Sequence, residues 1–420
     1  MSNVTFMEAF KVWARIGLMS FGGPAGQIAL MHREIVDERH WLEEKEYLSA
    51  LNFCMLLPGP EAQQLAIYAG WKLHGTKGGL AAGLLFVLPG AAVVLALSMI
   101  YGAFGQVPLV NALFFGVKAA VLAIVVEALL RVARRSLKGQ AEWLIAACAF
   151  VALFCFNLPF PLVIVAAAIF GFVRGSAEKT QHIGELPSLA AITRTAALWL
   201  AVWLIPLALL VVTLGQDNVF SQIGLFFSKL SVVTFGGAYA VLSYMAQASV
   251  EQMHWLSGAE MIDGLGLAET TPGPLILVTE YVGYLAALRQ TGSIWGGIAG
   301  AAIALWMTFA PCFLWVMVGA PYVAAIGKRP KLAGALSAIT AAVVGVIFNL
   351  TIWFGLHVLF SKVERLAGVF KPWLPDFATL NIWALGLSVV AAIALLRLHL
   401  GVPKTLALSA ALGLALHLAV

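Results

Sequence analysis

Ser20-Phe21-Gly22-Gly23-Pro24 returns 214 residues later as Thr234-Phe235-Gly236-Gly237-Ala238. The same offset carries Trp41-Leu42 onto Trp255-Leu256, Pro58-Gly59-Pro60 onto Pro272-Gly273-Pro274, and Arg15 onto Lys229. Matches in that order at one spacing mark a duplicated chain. Each copy sets two Gly/Pro breaks inside apolar sequence. Broken backbone persists in lipid only where protein or a water-filled cavity surrounds it. The duplicated breaks therefore point to a site inside a membrane.

Composition agrees. Of 420 residues, 61% are hydrophobic and 11% charged, and mean hydropathy is +0.94. A soluble protein of this length cannot hide that much apolar surface, so the lipid bilayer is the expected solvent. The net charge of +5 reads as cytoplasmic loop bias and not as nucleic-acid binding. Cys54, Cys148, Cys155 and Cys312 sit in apolar runs without metal-ligand spacing and are expected to be small buried hydrophobes. No signal peptide is expected, because Glu8, Lys11 and Arg15 interrupt any uncharged N-terminal run.

In chain order, residues 6–20 are apolar and stop at the first break. Residues 25–40 turn charged, and 42–57 grow apolar towards Pro58. Residues 61–73 return to Lys72 and His74. A helix of 15 residues spans only about 22 Å, short of the ~30 Å hydrocarbon core. Residues 6–73 thus read as two hairpins that dip in and return, with four short crossings as the alternative. Apolar runs follow at roughly 79–101, 109–130, 142–156 and 161–173. Their loops alternate between charged (Lys72, Lys77; Arg131 to Lys138; Arg174 onward) and neutral (102–108; 157–161). By the positive-inside rule the first half begins and ends in the cytoplasm.

Residues 176–194 suit a linker, and the run 195–214 has no counterpart before the first repeat. Gly79 matches Gly297 and Gly116 matches Gly334. On that alignment the neutral loop 102–108 faces the loop of Lys328, Arg329 and Lys331. The neutral loop 157–161 faces Arg397 and Lys404. The charge has changed sides, which marks an inverted-topology repeat. Lys362, Arg365 and Lys371 fit this less well, being placed outside. The expected architecture is an all-α polytopic membrane protein. It has two inverted repeats, each with two broken hairpins and about four spanning helices, and one linking helix. The divisions fall at 1–175, 176–215 and 216–420, with the N-terminus cytoplasmic and the C-terminus outside.

A helix is expected to start just after each Phe-Gly-Gly and at each Pro-Gly-Pro. A helix start presents unpaired N–H groups and the positive dipole end, which suits an anion. With the halves inverted, four such starts would line one cavity. Candidate anion-binding residues are Phe21, Gly22, Gly23, Pro58, Gly59, Pro60, Gln63, Gln64, Phe235, Gly236, Gly237, Thr270, Thr271, Pro272, Gly273 and Pro274. The cations Arg15, Lys229 and Lys118 join them. Arg15 and Lys229 could instead snorkel from helix ends, and Lys118 could pair with Glu127. Glu127 itself stands four residues before Arg131, as an intrahelical ion pair would. Glu269 and Glu61 flank the Pro-Gly-Pro breaks and are the candidate proton carriers. Glu280 lies further along the last of these helices. His32 and His40 fall in charged segments and read as solvated. No nucleophile motif, phosphate loop, metal cluster, haem, flavin or iron–sulfur pattern is present, so neither an enzyme nor a cofactor is expected.

Phe21-Gly22-Gly23-Pro24, the run from Leu56 to Ala66, and Ala268-Glu269-Thr270-Thr271-Pro272-Gly273-Pro274 resemble the chromate transporter family in its long, two-domain form. The resemblance covers essentially the whole chain. It implies a bacterial inner-membrane carrier that exports chromate, driven by the proton motive force, and confers chromate resistance. A sulfate-like oxyanion as substrate and an anion channel on the same cavity stay open. A homodimer is a further expectation. Ala238 replaces Pro24 in the second copy, so equal roles for the two Phe-Gly-Gly tips are not implied.

Overall fold

The computed structural model describes residues 4–21, 23–105, 107–174, 189–235, 238–322 and 330–419. Gly22, Gly236, Gly237, Lys328, Arg329 and most of the expected linker lie outside them. The described residues are almost entirely helical, and six of their helices are long and apolar enough to cross a membrane.

Each half opens with short helices. In the first, α1 (Phe6–Met19), α2 (Gly23–His32) and α3 (Glu44–Cys54) lead to α4 (Glu61–Phe104). Thr5 caps α1 by accepting from the Glu8 N–H. The 44 residues of α4 are not one rod: His74 and Gly75 leave helical geometry, Gly75 at φ 60°. A short leg of residues 61–73 therefore precedes a long one of 76–104. α5 (Pro108–Ser136), α6 (Gln140–Phe154) and α7 (Phe160–Arg174) complete this half. The apolar run 195–214 lies in a single helix, α8 (Leu189–Leu214).

The second half repeats the local pattern with α9 (Val219–Val233), α10 (Ala238–Ala246), α11 (Gly258–Thr270), α12 (Val278–Thr291) and α13 (Ile294–Gly319). Gly292, at φ 64°, separates α12 from α13 as Gly75 divides α4. π-helical turns occupy 33–37 and 247–252. Beyond them His40 and His254 both adopt left-handed backbone. Trp41 N–H donates to the Ile35 carbonyl, and Trp255 N–H to that of Ser249, each at 2.8 Å. Local structure thus recurs at the sequence offset. α14 (Pro330–Leu359), α15 (Ile382–Ala392) and α16 (Val402–Ala419) close the chain.

Between α14 and α15, β1 (Val363–Arg365) pairs antiparallel with β2 (Trp373–Pro375). This hairpin escaped the sequence reading because strands of three residues carry no periodicity. It also engages Arg365, one of the ill-fitting loop charges. The guanidinium stacks over Trp373, donates to the Lys371 carbonyl and pairs with Glu251.

The chain divides into two compact units, each drawing on both halves. The first comprises Met1–Met99, Glu178–Ala238 and Thr271–Arg329; the second comprises Ile100–Ala177, Tyr239–Thr270 and Pro330–Val420. In the first, α13 packs on α8, α9 and α12. Trp199 stacks on Phe313, and the Trp306 indole donates to the Val202 carbonyl. In the second, α5 packs on α15 and α16, while α14 packs on α6 and α7. The exchange is reciprocal: Gly116 of α5 abuts the Ser409 carbonyl of α16, and Gly171 of α7 abuts the Gly334 carbonyl of α14. Small residues let backbones approach this closely, the usual basis of helix packing in lipid. Cys54 and Cys312 are buried as expected, but Cys148 is exposed and Cys155 half-buried. Both belong to apolar stretches around α6, and an apolar face in lipid need not be covered by protein.

Candidate functional site

The first unit brings the broken tips of both halves together. α1 ends at Ser20, whose hydroxyl donates to the Ile16 carbonyl at 2.6 Å. α9 ends at Thr234, whose hydroxyl donates to Leu230 at the same distance. Because the helices end there, the Ser20 and Thr234 carbonyls have no intrahelical partner. Each Pro-Gly-Pro triplet has only one N–H, since proline has none. Gly59 N–H donates to the Thr234 carbonyl and Gly273 N–H donates to the Ser20 carbonyl, both at 2.8 Å. Each half's Pro-Gly-Pro is thereby tied to the other half's Phe-Gly-Gly tip.

The glycines are required by conformation. Gly59 has φ +115° and Gly273 φ +95°, a region costly for any side chain. A Cβ on Gly59 would also come within 2.8 Å of Gln64 Nε2 and 2.9 Å of Cys312 Sγ. After Pro60, α4 starts at once. After Pro274, the turn Leu275–Leu277 intervenes before α12.

Buried amides brace the tips. Gln27 Nε2 donates to the Gly273 carbonyl at 2.6 Å, and Gln64 Nε2 donates to the Pro58 carbonyl at 2.7 Å. Carbonyls only accept, so both amides are fixed in orientation. Their Oε1 atoms, with Gln63 Oε1 and Glu280 Oε2, are buried without a hydrogen-bond partner. An unsatisfied buried polar atom costs on the order of 1–3 kcal/mol.

Of the residues singled out from the sequence, Phe21, Gly23, Pro58, Gly59, Pro60, Glu61, Gln63, Gln64, Phe235, Thr271, Pro272, Gly273 and Pro274 belong to this unit, as do Arg15 and Lys229. Arg15 approaches Glu34 at 3.8 Å with its own side chain largely exposed. Glu34 is buried and is held more closely by Arg39 at 2.6 Å. Lys229 is exposed. Lys118, Glu269 and Thr270 belong to the second unit. There Lys118 Nζ lies 3.2 Å from Asp263, which also accepts from the Tyr101 hydroxyl at 2.8 Å. Glu127 forms the intrahelical ion pair with Arg131 that their spacing suggested, so of the two alternatives for Lys118 the pairing with Glu127 is not the one seen. Glu269 accepts from the Tyr239 hydroxyl at 2.7 Å.

Gln27, Glu34 and Asp263 were not singled out for the site from the sequence. Gln27 and Asp263 each carried a signal, a lone polar side chain in an apolar run. Glu34 carried none, lying among charges that look solvated. His32, read as solvated, is partly exposed and also meets Asp37 at 3.2 Å through one ring nitrogen and Glu44 at 2.6 Å through the other. Burial pulls its pKa down, but the Glu44 hydrogen bond and the charges of Asp37 and Glu44 outweigh burial and raise it above 6.5.

The chromate transporter family model matches residues 7–172 and 221–414. The chain is 32% identical to a chromate transport protein of Pseudomonas aeruginosa, over 93% of this chain and 90% of the relative. It is 30% identical to a chromate transport protein of Cupriavidus metallidurans, over 82% and 81%. It is 29% identical to a probable chromate transport protein of Synechococcus elongatus, over 91% and 93%. No solved structure matches the chain. The family match spans both copies of the interlocked motif, and the chain belongs to the chromate transporter family.

Proposed function

We propose that the chain is a secondary carrier for chromate, and that its transport site is built on the interlocked tips of the first unit. The observation that carries this reading is the reciprocal pair of bonds from Gly59 to Thr234 and from Gly273 to Ser20. A site made equally by two repeats suits alternating access, in which either side opens around one fixed place. The two repeats, 1–175 and 216–420, are inverted in the membrane, with 176–215 as linker and connecting helix. The swapped loop charges and the reciprocal packing of α5 and α14 support this. The helix start after Pro60 and the turn after Pro274 offer the oxyanion their N–H groups, and Gln63, Gln64 and Thr271 of the same unit add polar contacts. Arg15 and Lys229, of the same unit, are the positive charges proposed for it.

The direction is export across a bacterial inner membrane, giving chromate resistance, with the N-terminus cytoplasmic and the C-terminus outside. Two negative charges leaving a negative-inside cell gain about 4.6 kcal/mol per 100 mV. Coupling to the proton motive force needs a carboxylate that binds and releases a proton in each cycle, and Glu269 and Glu61 are the candidates read from the sequence. The test is uptake of labelled chromate by the purified protein in proteoliposomes, with sulfate competing. Saturable uptake that unlabelled chromate abolishes is expected. No uptake above protein-free vesicles would reject the reading, and equal displacement by sulfate would widen the substrate to tetrahedral dianions.

A further inference from the structure

We infer that Glu280, on α12 of the first unit, and not the sequence candidates Glu61 and Glu269, is the proton-binding carboxylate of the carrier. The inference rests on the transport reading above and names the group that makes it proton-coupled. Glu280 is 1% exposed, and its Oε2 has no partner. It stands on the helix that leaves the Pro272-Gly273-Pro274 tip, in that helix's first turn. At the repeat offset the first half has Ala66, also buried. The duplicated frame therefore holds this acid on one side only, whereas the backbone bonds of the tips occur twice. A structural need shared by both halves would not leave it single.

Among the described residues, the elements that pack most on α12 offer no compensating charge. α12 packs on α13 and α9 and follows the 275–277 turn. The turn has no titratable residue, α13 has only Cys312, and α9 has only Lys229, whose side chain is exposed. On α12 itself the others are Tyr281, Tyr284 and Arg289, the last exposed and more than two turns away. Among the described residues, no ion pair engages Glu280. An ionised carboxylate buried without a partner is expensive, and such a group neutralises instead. The neutral acid fits the state described. Ionisation requires the group to meet water or a cation, which is what opening the unit to one side of the membrane provides. The step is a plain proton transfer, from carboxylic acid to water on one side and back to carboxylate from the other.

The experiment uses full-length protein in proteoliposomes, potential clamped with potassium and valinomycin, labelled chromate, and a pH-sensitive dye inside. Wild type is expected to move protons against chromate. Glu280→Gln, isosteric with the neutral acid, is expected to keep exchanging chromate at a rate that no longer depends on pH. Its proton signal should fall to that of protein-free vesicles, and Glu280→Asp should restore the signal in part. The assignment is overturned if Glu280→Gln still moves protons with chromate. It is also overturned if Gln, Asp and Ala at this position all abolish exchange, or if Glu61→Gln or Glu269→Gln removes the proton signal while Glu280→Gln does not. Absence of chromate exchange in wild type would overturn the carrier reading itself.

Discussion

Gly59 and Gly273 each combine a positive φ with a backbone donor used across the repeats. Gly59→Ala or Gly273→Ala should cost about 1–3 kcal/mol through backbone strain alone. A lower melting temperature in detergent, read by tryptophan fluorescence, checks this; an unchanged value would show that the tips relax freely. His32 gives a pH-dependent counterpart in the charged segment 32–39. Its raised pKa means that the Asp37 and Glu44 contacts stabilise fully below about pH 6.5. That contribution is lost as pH rises through the raised value. Proteolysis of this segment should therefore quicken between pH 6 and pH 8 in wild type, and His32→Gln should lose the difference. The glycines were legible in the sequence because Pro-Gly-Pro occurs twice. The His32 clamp was not, since its three members are separated by an irregular turn that composition does not reveal.

At the scale of elements, the short helices follow from length. α1, α3, α9, α11 and α12 have 11 to 15 residues, reaching about 16–23 Å at 1.5 Å per residue. Their breaks were readable because Gly and Pro punctuate local structure directly. What could not be read was partner choice. Nothing in one sequence says that α5 packs on α16 and α14 on α7, because apolar helices in lipid select neighbours by close fit between small residues. Gly116→Leu tests that fit, since its side chain would meet the Ser409 carbonyl, whereas Gly386 faces open space. Gly116→Leu should lower the melting temperature by several degrees or prevent folding, and Gly386→Leu should not. Equal effects would remove packing as the reason for Gly116.

For the whole molecule, the proposed inversion explains why the loop charges change sides while the motifs keep their order. Single cysteines at Gly105 and Lys331, in a background without other cysteines, should react with a membrane-impermeant thiol reagent from opposite faces; labelling from one face would reject the inversion. The acid Glu280 shows the limit of repeat reasoning, since duplication points to what the halves share and hides what only one holds. The central claim is that the interlocked tips form a carrier site for chromate. Counterflow of labelled chromate into vesicles preloaded with unlabelled chromate tests it most directly, comparing wild type with the folded Gly59→Ala/Gly273→Ala double variant. Wild type should show a transient overshoot above equilibrium that the double variant loses. Uptake by wild type that never overshoots, or an equal overshoot in both proteins, would contradict it.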